Sequence, residues 1–240
     1  MPRFSGGEWR GAFAALLFDL DGTLLDTVRD IALALNRTLE EQGLDPLPED
    51  SVRRMIGRGS PILIERAAAM RGRKLDPPGH AAMLERFFHH YDEVERSDAA
   101  SARPFSGAAD ALHRLHGAGF RTAVVTNKHH RFATGLLDRL ELAPFIDVVI
   151  GGDSCPRRKP DPLPLIAACE RLGVPASAAL MVGDSVNDVE AARAAGMPVA
   201  CVSYGYNEGR DARTLDCDVL LDSLIELPPL LERMPQSSRA

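Results

Sequence analysis

Cysteine is sparse in this chain and scattered: Cys155, Cys169, Cys201 and Cys217 form no Cys-x-x-Cys pair. That spacing points to neither a zinc site nor a dithiol redox motif, and reduced thiols are the expectation. A basic excess is also absent. The 28 Lys and Arg stand against 34 Asp and Glu, a net charge of −6, which speaks against nucleic acid as the main partner because such proteins usually carry a basic stripe. No apolar run has the length of a membrane span, and Met1 to Gly11 is short and polar, without the flanks of a signal peptide. A cytoplasmic protein, with no membrane partner, is therefore expected. There is no internal repeat and no low-complexity segment, and only Pro235 to Ala240 reads as a disordered tail. With 45% hydrophobic and 26% charged residues over 240 positions, the composition is that of a soluble folded enzyme long enough to bury a substantial core.

What is present gathers around Phe18-Asp19-Leu20-Asp21-Gly22-Thr23. The run Ala14 to Phe18 before it is continuously apolar, as expected of a strand buried on both faces of a parallel sheet. Asp19 and Asp21 then sit at the C-terminal end of that strand, where open α/β sheets bind ligands. Two carboxylates so close repel each other, a repulsion that a bound divalent cation relieves.

After Thr27 the periodicity changes. Val28, Ile31, Leu35 and Leu39 recur at helical spacing, and Gly43 ends the pattern. Further helices are expected near residues 52–56, from Ser60 to Arg71, and from His80 to Glu95 after a turn at Pro77-Pro78-Gly79. Nothing between Asp26 and Ser101 reads as a strand. From residue 101 onward helices alternate with short apolar runs: Thr122 to Val125, Val148 to Ile150, Ala179 to Val182 and Val199 to Val202. That order implies right-handed βαβ crossovers, hence a Rossmann-like α/β core with a parallel sheet flanked by helices. The expected division is a core of residues 1–25 and 101–240, with an α-helical domain of residues 26–100 inserted after the first strand.

Polar groups fall at or just beyond four of the strand ends: Asp19 and Asp21, Thr126-Asn127-Lys128, Lys159, and Asp184 with Asp188. Alone, each has a bland reading: Asp21-Gly22 as a turn, Lys159-Pro160 as a solvated loop, Asp184-Ser185 as a helix cap. Together on one edge of a sheet they supply the carboxylates, cations and hydroxyl of a phosphoryl-transfer site.

These motifs resemble those of the haloacid dehalogenase superfamily of phosphohydrolases. Its Asp-x-Asp-Gly-Thr motif matches residues 19–23, its strand-terminal Thr or Ser matches Thr126, its lysine matches Lys159, and its Gly-Asp-x-x-x-Asp motif matches residues 183–188. The resemblance implies that Asp19 is the nucleophile, forming an aspartyl-phosphate, and Asp21 the general acid/base. It implies Mg²⁺ held by Asp19, the backbone carbonyl of Asp21 and Asp184, with Asp188 in support, and Thr126, Asn127 and Lys159 on the phosphate. It also implies that the helical insertion is a cap closing over the site. Dehalogenase activity is disfavoured, because those relatives lack the second motif aspartate.

Within the superfamily, Met55-Ile56-Gly57-Arg58-Gly59 and Tyr204-Gly205-Tyr206-Asn207 resemble segments of the phosphoglycolate phosphatases. That points to 2-phosphoglycolate as substrate, with Arg58 placed to pair with its carboxylate or else a solvated surface charge. The alternatives are a sugar phosphate or another small phosphomonoester, then a phosphosugar mutase or a catalytically silent binding protein. A monomer or a homodimer fits equally well.

Overall fold

Ala15–Phe18 (β1) is fully buried because both faces of its sheet are covered. Leu16 and Phe18 enter one apolar cluster, while Ala15 and Leu17 enter another on the opposite face. A continuous apolar run, rather than an alternating one, is what such a strand needs.

The computed structural model describes Trp9 and residues 11–231, so the Pro235 to Ala240 tail lies outside the described residues. In chain order, β1 is followed by Leu25–Asp26 (β2) and four helices, Val28–Glu41 (α1), Glu49–Arg53 (α2), Ser60–Met70 (α3) and Pro77–Glu95 (α4). The chain then returns through Arg103–Pro104 (β3) to Ala108–Gly117 (α5), Arg121–Val125 (β4), His130–Arg139 (α6) and Val148–Ile150 (β5). Leu163–Leu172 (α7), Ala179–Gly183 (β6), Val186–Ala194 (α8), Val199–Val202 (β7), Val219–Leu221 (β8) and Leu227–Leu231 (α9) complete it.

Six strands form one parallel sheet in the order β5-β4-β1-β6-β7-β8. Helices α5, α6 and α9 cover the face that carries Leu16 and Phe18, and α7 and α8 cover the face that carries Leu17. The chain leaves β1 in one direction through β4 and β5, then in the other through β6 to β8. The crevice where strand order reverses therefore opens at the C-terminal end of β1. Register fixes what gathers there: Phe18 is level with Val124 of β4 and Val182 of β6, so Asp19, Thr126 and Asp184 emerge within one residue of the same height.

The α1–α4 block has its own apolar cluster, built on Ile31, Leu35, Leu63, Phe87 and Tyr91, among others. From the rest of the chain that cluster takes Phe132 of α6 and Tyr206. Entry and exit of the block lie side by side, because β2 and β3 pair antiparallel, Asp26 against Arg103. Asp30, fully buried in α1, accepts hydrogen bonds from the Ser101 and Ala102 N–H groups at 2.8 and 2.9 Å and fastens the returning chain to the outgoing helix.

The structure differs from the sequence reading at three places. Helix α4 begins at Pro77 rather than near His80: a first turn has no use for the N–H groups that Pro77 and Pro78 lack, and Asp76 caps it by accepting from Gly79 N–H. Helix α2 covers residues 49–53 rather than 52–56, so Glu49 and Asp50 form its first turn. Strands β2, β3 and β8, of two or three residues each, are too short to show a period in sequence.

Candidate active site

Asp19 ends β1 with its backbone N–H bonded to Val182 O of the neighbouring strand. Its Oδ1 accepts from Leu20 N–H at 2.7 Å and lies 3.0 Å from Lys159 Nζ. Lys159 is 4% exposed, and its ammonium also donates to Val125 O at 2.5 Å and Asp188 Oδ1 at 2.7 Å. Three protein oxygens thus take its three hydrogens. Burial works against the Lys159 charge, yet Asp188 and Asp19 outweigh it and raise the lysine pKa.

Asp184, at the end of β6, is held from three directions. Its Oδ1 accepts from Thr23 Oγ1 at 2.9 Å, and its Oδ2 from the Tyr206 and Asn207 N–H groups at 2.7 and 3.3 Å. Gly22 and Gly205 make room for it. A Cβ on Gly22 would lie 2.6 Å from Asp184 Oδ2, and one on Gly205 would lie 2.1 Å from Asp184 Cβ. Asp188 spends both oxygens within the protein: Oδ1 on Lys159, and Oδ2 on Ser185 Oγ and the Ser185 and Asp184 N–H groups. It fixes the Asp184 backbone and the start of α8 together.

Asp21 points elsewhere. Its Oδ1 accepts from Thr27 Oγ1 at 2.6 Å and from Lys128 Nζ at 3.1 Å. Thr126 is buried, and its hydroxyl accepts from Lys128 N–H. The Asn127 side-chain amide donates to Gly57 O of the helical block at 2.8 Å and to Lys159 O at 2.9 Å, tying that block to the sheet edge. Of the two readings of Arg58, substrate partner or surface charge, the structure shows a surface ion pair. The Arg58 side chain is 43% exposed and 3.1 Å from Glu208, which also pairs with Arg66 at 2.7 Å. Asp19, Asp21, Thr126 and Asn127 line a cavity under the helical block, and Arg58 is not among its lining residues.

Four buried or nearly buried carboxylates, Asp19, Asp21, Asp184 and Asp188, face two ammonium groups, Lys128 and Lys159, an excess of two negative charges. One oxygen from each of Asp19, Asp184 and Asp188 falls within 4.8 Å of the others, close enough to share an ion. Burial, with Asp188 and Asp184 beside it and against the pull of Lys159, pushes the Asp19 carboxyl up to about 8. Burial and Asp188 push Asp184 up to about 6, against the hydrogen bonds of Tyr206, Asn207 and Thr23. An all-oxygen donor set with a charge excess of two fits a hard divalent cation. Chain residues 16–202 match the haloacid dehalogenase-like hydrolase family.

The chain belongs to that family. It is 43% identical to a phosphoglycolate phosphatase of Nitrosospira multiformis over 220 residues, covering 91% of this chain and 96% of the relative. It is also 43% identical to a phosphoglycolate phosphatase of Caulobacter vibrioides, covering 90% and 89%. Among solved structures, a predicted phosphoglycolate phosphatase from Haemophilus somnus superposes with a TM-score of 0.85 at 29% identity, covering 91% of this chain and 98% of that one. CbbY from Rhodobacter sphaeroides, in complex with phosphate, gives 0.76 at 26%, covering 90% and 96%. As a haloacid dehalogenase-like hydrolase, the chain brings Asp19, Thr126 and Asp184 together at the ends of β1, β4 and β6, with the helical block inserted after β2.

Two residues that fall in segments singled out from the sequence, Tyr206 and Lys128, make contacts that the sequence does not show. Tyr206 is buried, its Oη accepts from the Thr27 and Val28 N–H groups at 2.8 and 3.1 Å and donates to Asp26 Oδ1 at 3.0 Å, and its backbone N–H holds Asp184. One residue thus joins the start of the helical block to Asp184. Tyr206→Phe should cost about 2 kcal/mol, because two buried N–H groups lose their acceptor, and lower the thermal midpoint by roughly 5 °C; an unchanged melting curve would contradict this. The second contact is Lys128, whose ammonium sits 4.5 Å from the Tyr91 ring centroid as well as beside Asp21. Nothing in sequence brings Lys128 and Tyr91 together; only the docking of the helical block does.

The raised carboxyls make cation binding pH-dependent. Asp19 and Asp184 hold protons more tightly folded than unfolded, so their contribution to stability is full below pH 4 and is lost as pH rises toward 8. A divalent cation bound by the cluster would displace those protons and restore stability in that window. The rise in thermal midpoint on adding a divalent cation should therefore be small at pH 5 and grow to roughly 5–10 °C at pH 8. A shift that shrinks with rising pH would be the wrong sign.

Proposed function

We propose that this hydrolase is a Mg²⁺-dependent phosphatase that converts 2-phosphoglycolate and water to glycolate and phosphate through an aspartyl-phosphate on Asp19. The observation that carries the reading is one buried cluster, Asp19 and Asp184 with Lys159, of which Asp19 lines a cavity together with Asp21. The names of the relatives at 43% identity support the substrate. In this reading residues 26–100 are a cap domain over a core of residues 1–25 and 101–240.

The Leu20 N–H and Lys159 hold Asp19 Oδ1, which leaves Oδ2 as the oxygen that attacks phosphorus. As the P–O ester bond breaks, Asp21 gives its proton to the leaving glycolate oxygen. The Asp21 carboxylate then takes a proton from the water that attacks the phosphoryl-aspartate, releasing phosphate and restoring Asp19. The Thr126 hydroxyl donates to a phosphoryl oxygen, and Lys159 balances charge from behind Asp19. Asn127 positions the Gly57 loop against the phosphate site, since its amide hydrogens are already spent on two carbonyls. Mg²⁺, held by Asp19, the Asp21 backbone carbonyl and Asp184, would supply positive charge to the phosphoryl oxygens.

A phosphate-release assay over 2-phosphoglycolate and a set of sugar phosphates, with and without Mg²⁺, tests the proposal. It should show metal-dependent turnover with 2-phosphoglycolate favoured at least tenfold in kcat/KM. The solved structure of a CbbY variant in complex with xylulose-(1,5)bisphosphate superposes with a TM-score of 0.77 at 25% identity, which makes a sugar phosphate the competing reading. Preference for such an ester would overturn the substrate assignment.

A further inference from the structure

We infer that Lys128 is the residue that selects a substrate carboxylate next to the leaving oxygen, an inference that rests on the phosphatase reading and names its specificity determinant. Lys128 is 8% exposed and is the one cation among the residues lining the cavity under the helical block. The helical block lines the space with Ile31, Ile56, Leu63 and Phe87, to which Phe132 of α6 adds a further apolar wall, and its polar side chains there are Ser60 and Tyr91. The apolar part of that wall offers the hydroxyls of a sugar no partners, so an extended polyol laid along it would lose hydration there without recompense.

Geometry places a carboxylate beside this lysine. If Asp21 protonates the leaving oxygen, that oxygen must come within hydrogen-bond reach of the Asp21 carboxylate. Lys128 Nζ is 3.1 Å from Asp21 Oδ1 and 3.4 Å from Oδ2. In 2-phosphoglycolate the carboxylate carbon is joined to the ester oxygen through a single methylene. A carboxylate on so short a tether arrives where the ammonium already is. Lys128 has three hydrogens, Asp21 engages it on one side, the Tyr91 ring lies against it, and it still borders the cavity. Gly59 and Ser60, at the N-terminal end of α3, line the same space and add a favourable field for an anion. Buried against an aromatic ring and screened from water, the ammonium holds an anion more strongly than an exposed arginine does. Arg58 is exposed and bound to Glu208.

The test compares kcat/KM for 2-phosphoglycolate and for ethyl phosphate, which has the same length without the carboxylate, in wild type and in Lys128→Met and Lys128→Gln. The inference expects wild type to favour 2-phosphoglycolate and the variants to lose about 10- to 100-fold of that ratio, chiefly through KM. If Lys128 serves only to position Asp21, both esters slow together and the ratio stays unchanged; that result overturns the inference while leaving the substrate reading intact. Should wild type itself show no preference for 2-phosphoglycolate over ethyl phosphate or sugar phosphates, the substrate reading falls, and this inference with it. Thermal unfolding of each variant identifies a folding failure, and Lys128→Gln, which keeps a polar group against Asp21, carries the comparison if the methionine variant does not fold.

Discussion

Asp19→Asn should abolish phosphatase turnover, by at least about 10⁴-fold, in a protein that folds as well as wild type. The catalytic loss follows from chemistry: a carboxamide oxygen does not form the acyl phosphate on which both half-reactions depend. The unchanged fold follows from electrostatics. Burial and the neighbouring Asp188 and Asp184 push the Asp19 carboxyl up to about 8, against the pull of Lys159, and so favour its neutral form in the cation-free protein. Asn is close in shape to that form and can still accept from Leu20 N–H. The variant should melt within a few degrees of cation-free wild type and show a smaller Mg²⁺-induced shift, because one carboxylate of the cluster is gone. Circular dichroism melts and phosphate release on the same preparation check both halves. A variant that fails to fold, or one that retains activity, would contradict the assignment.

Lys159→Met should be damaging in both respects. Its ammonium sits between Asp19 and Asp188 and donates to Val125 O, and its side chain is almost fully buried. Removing it leaves the fully buried Asp188 without its cation, and breaking a buried pair in this way costs about 3–5 kcal/mol. The midpoint should fall by roughly 10 °C, with turnover lower by about 10²- to 10³-fold from the lost positive charge at the reacting group. The double variant Lys159→Met/Asp188→Asn separates the two effects. Neutralising Asp188 removes the orphaned charge, so part of the stability should return while activity stays low. Additive stability losses in the double variant would show that the two residues do not act as a pair.

The sequence carried the sheet and its edge residues in legible form because the physical signals there are strong and local. Strand β1 is apolar throughout, and Asp19, Thr126 and Asp184 each follow a buried strand, so parallel register alone brings them together. What sequence did not carry depends on how the helical block docks. Arg58 stands beside two glycines in a loop, as a ligand-binding arginine could, but Glu208, with its own backbone in the left-handed region at φ 50°, is there to receive it together with Arg66. Asn127 follows Thr126 as a phosphate ligand would, yet its amide spans Gly57 and Lys159 carbonyls. Tyr206 lies 180 residues from the Asp26 it bonds, a separation no local pattern bridges. Lys128 reads as one more charge at a strand end until Tyr91 of α4 is seen against it.

The proposed covalent step on Asp19 is tested most directly by acid-quenched mass spectrometry of the enzyme during turnover of 2-phosphoglycolate with Mg²⁺. The expected result is a peptide spanning Phe18 to Thr23 that carries the mass of one phosphoryl group in wild type, located at Asp19, and no such species in Asp19→Asn. Steady release of phosphate with the modification on another residue, or with none on this peptide during pre-steady-state turnover, would contradict it.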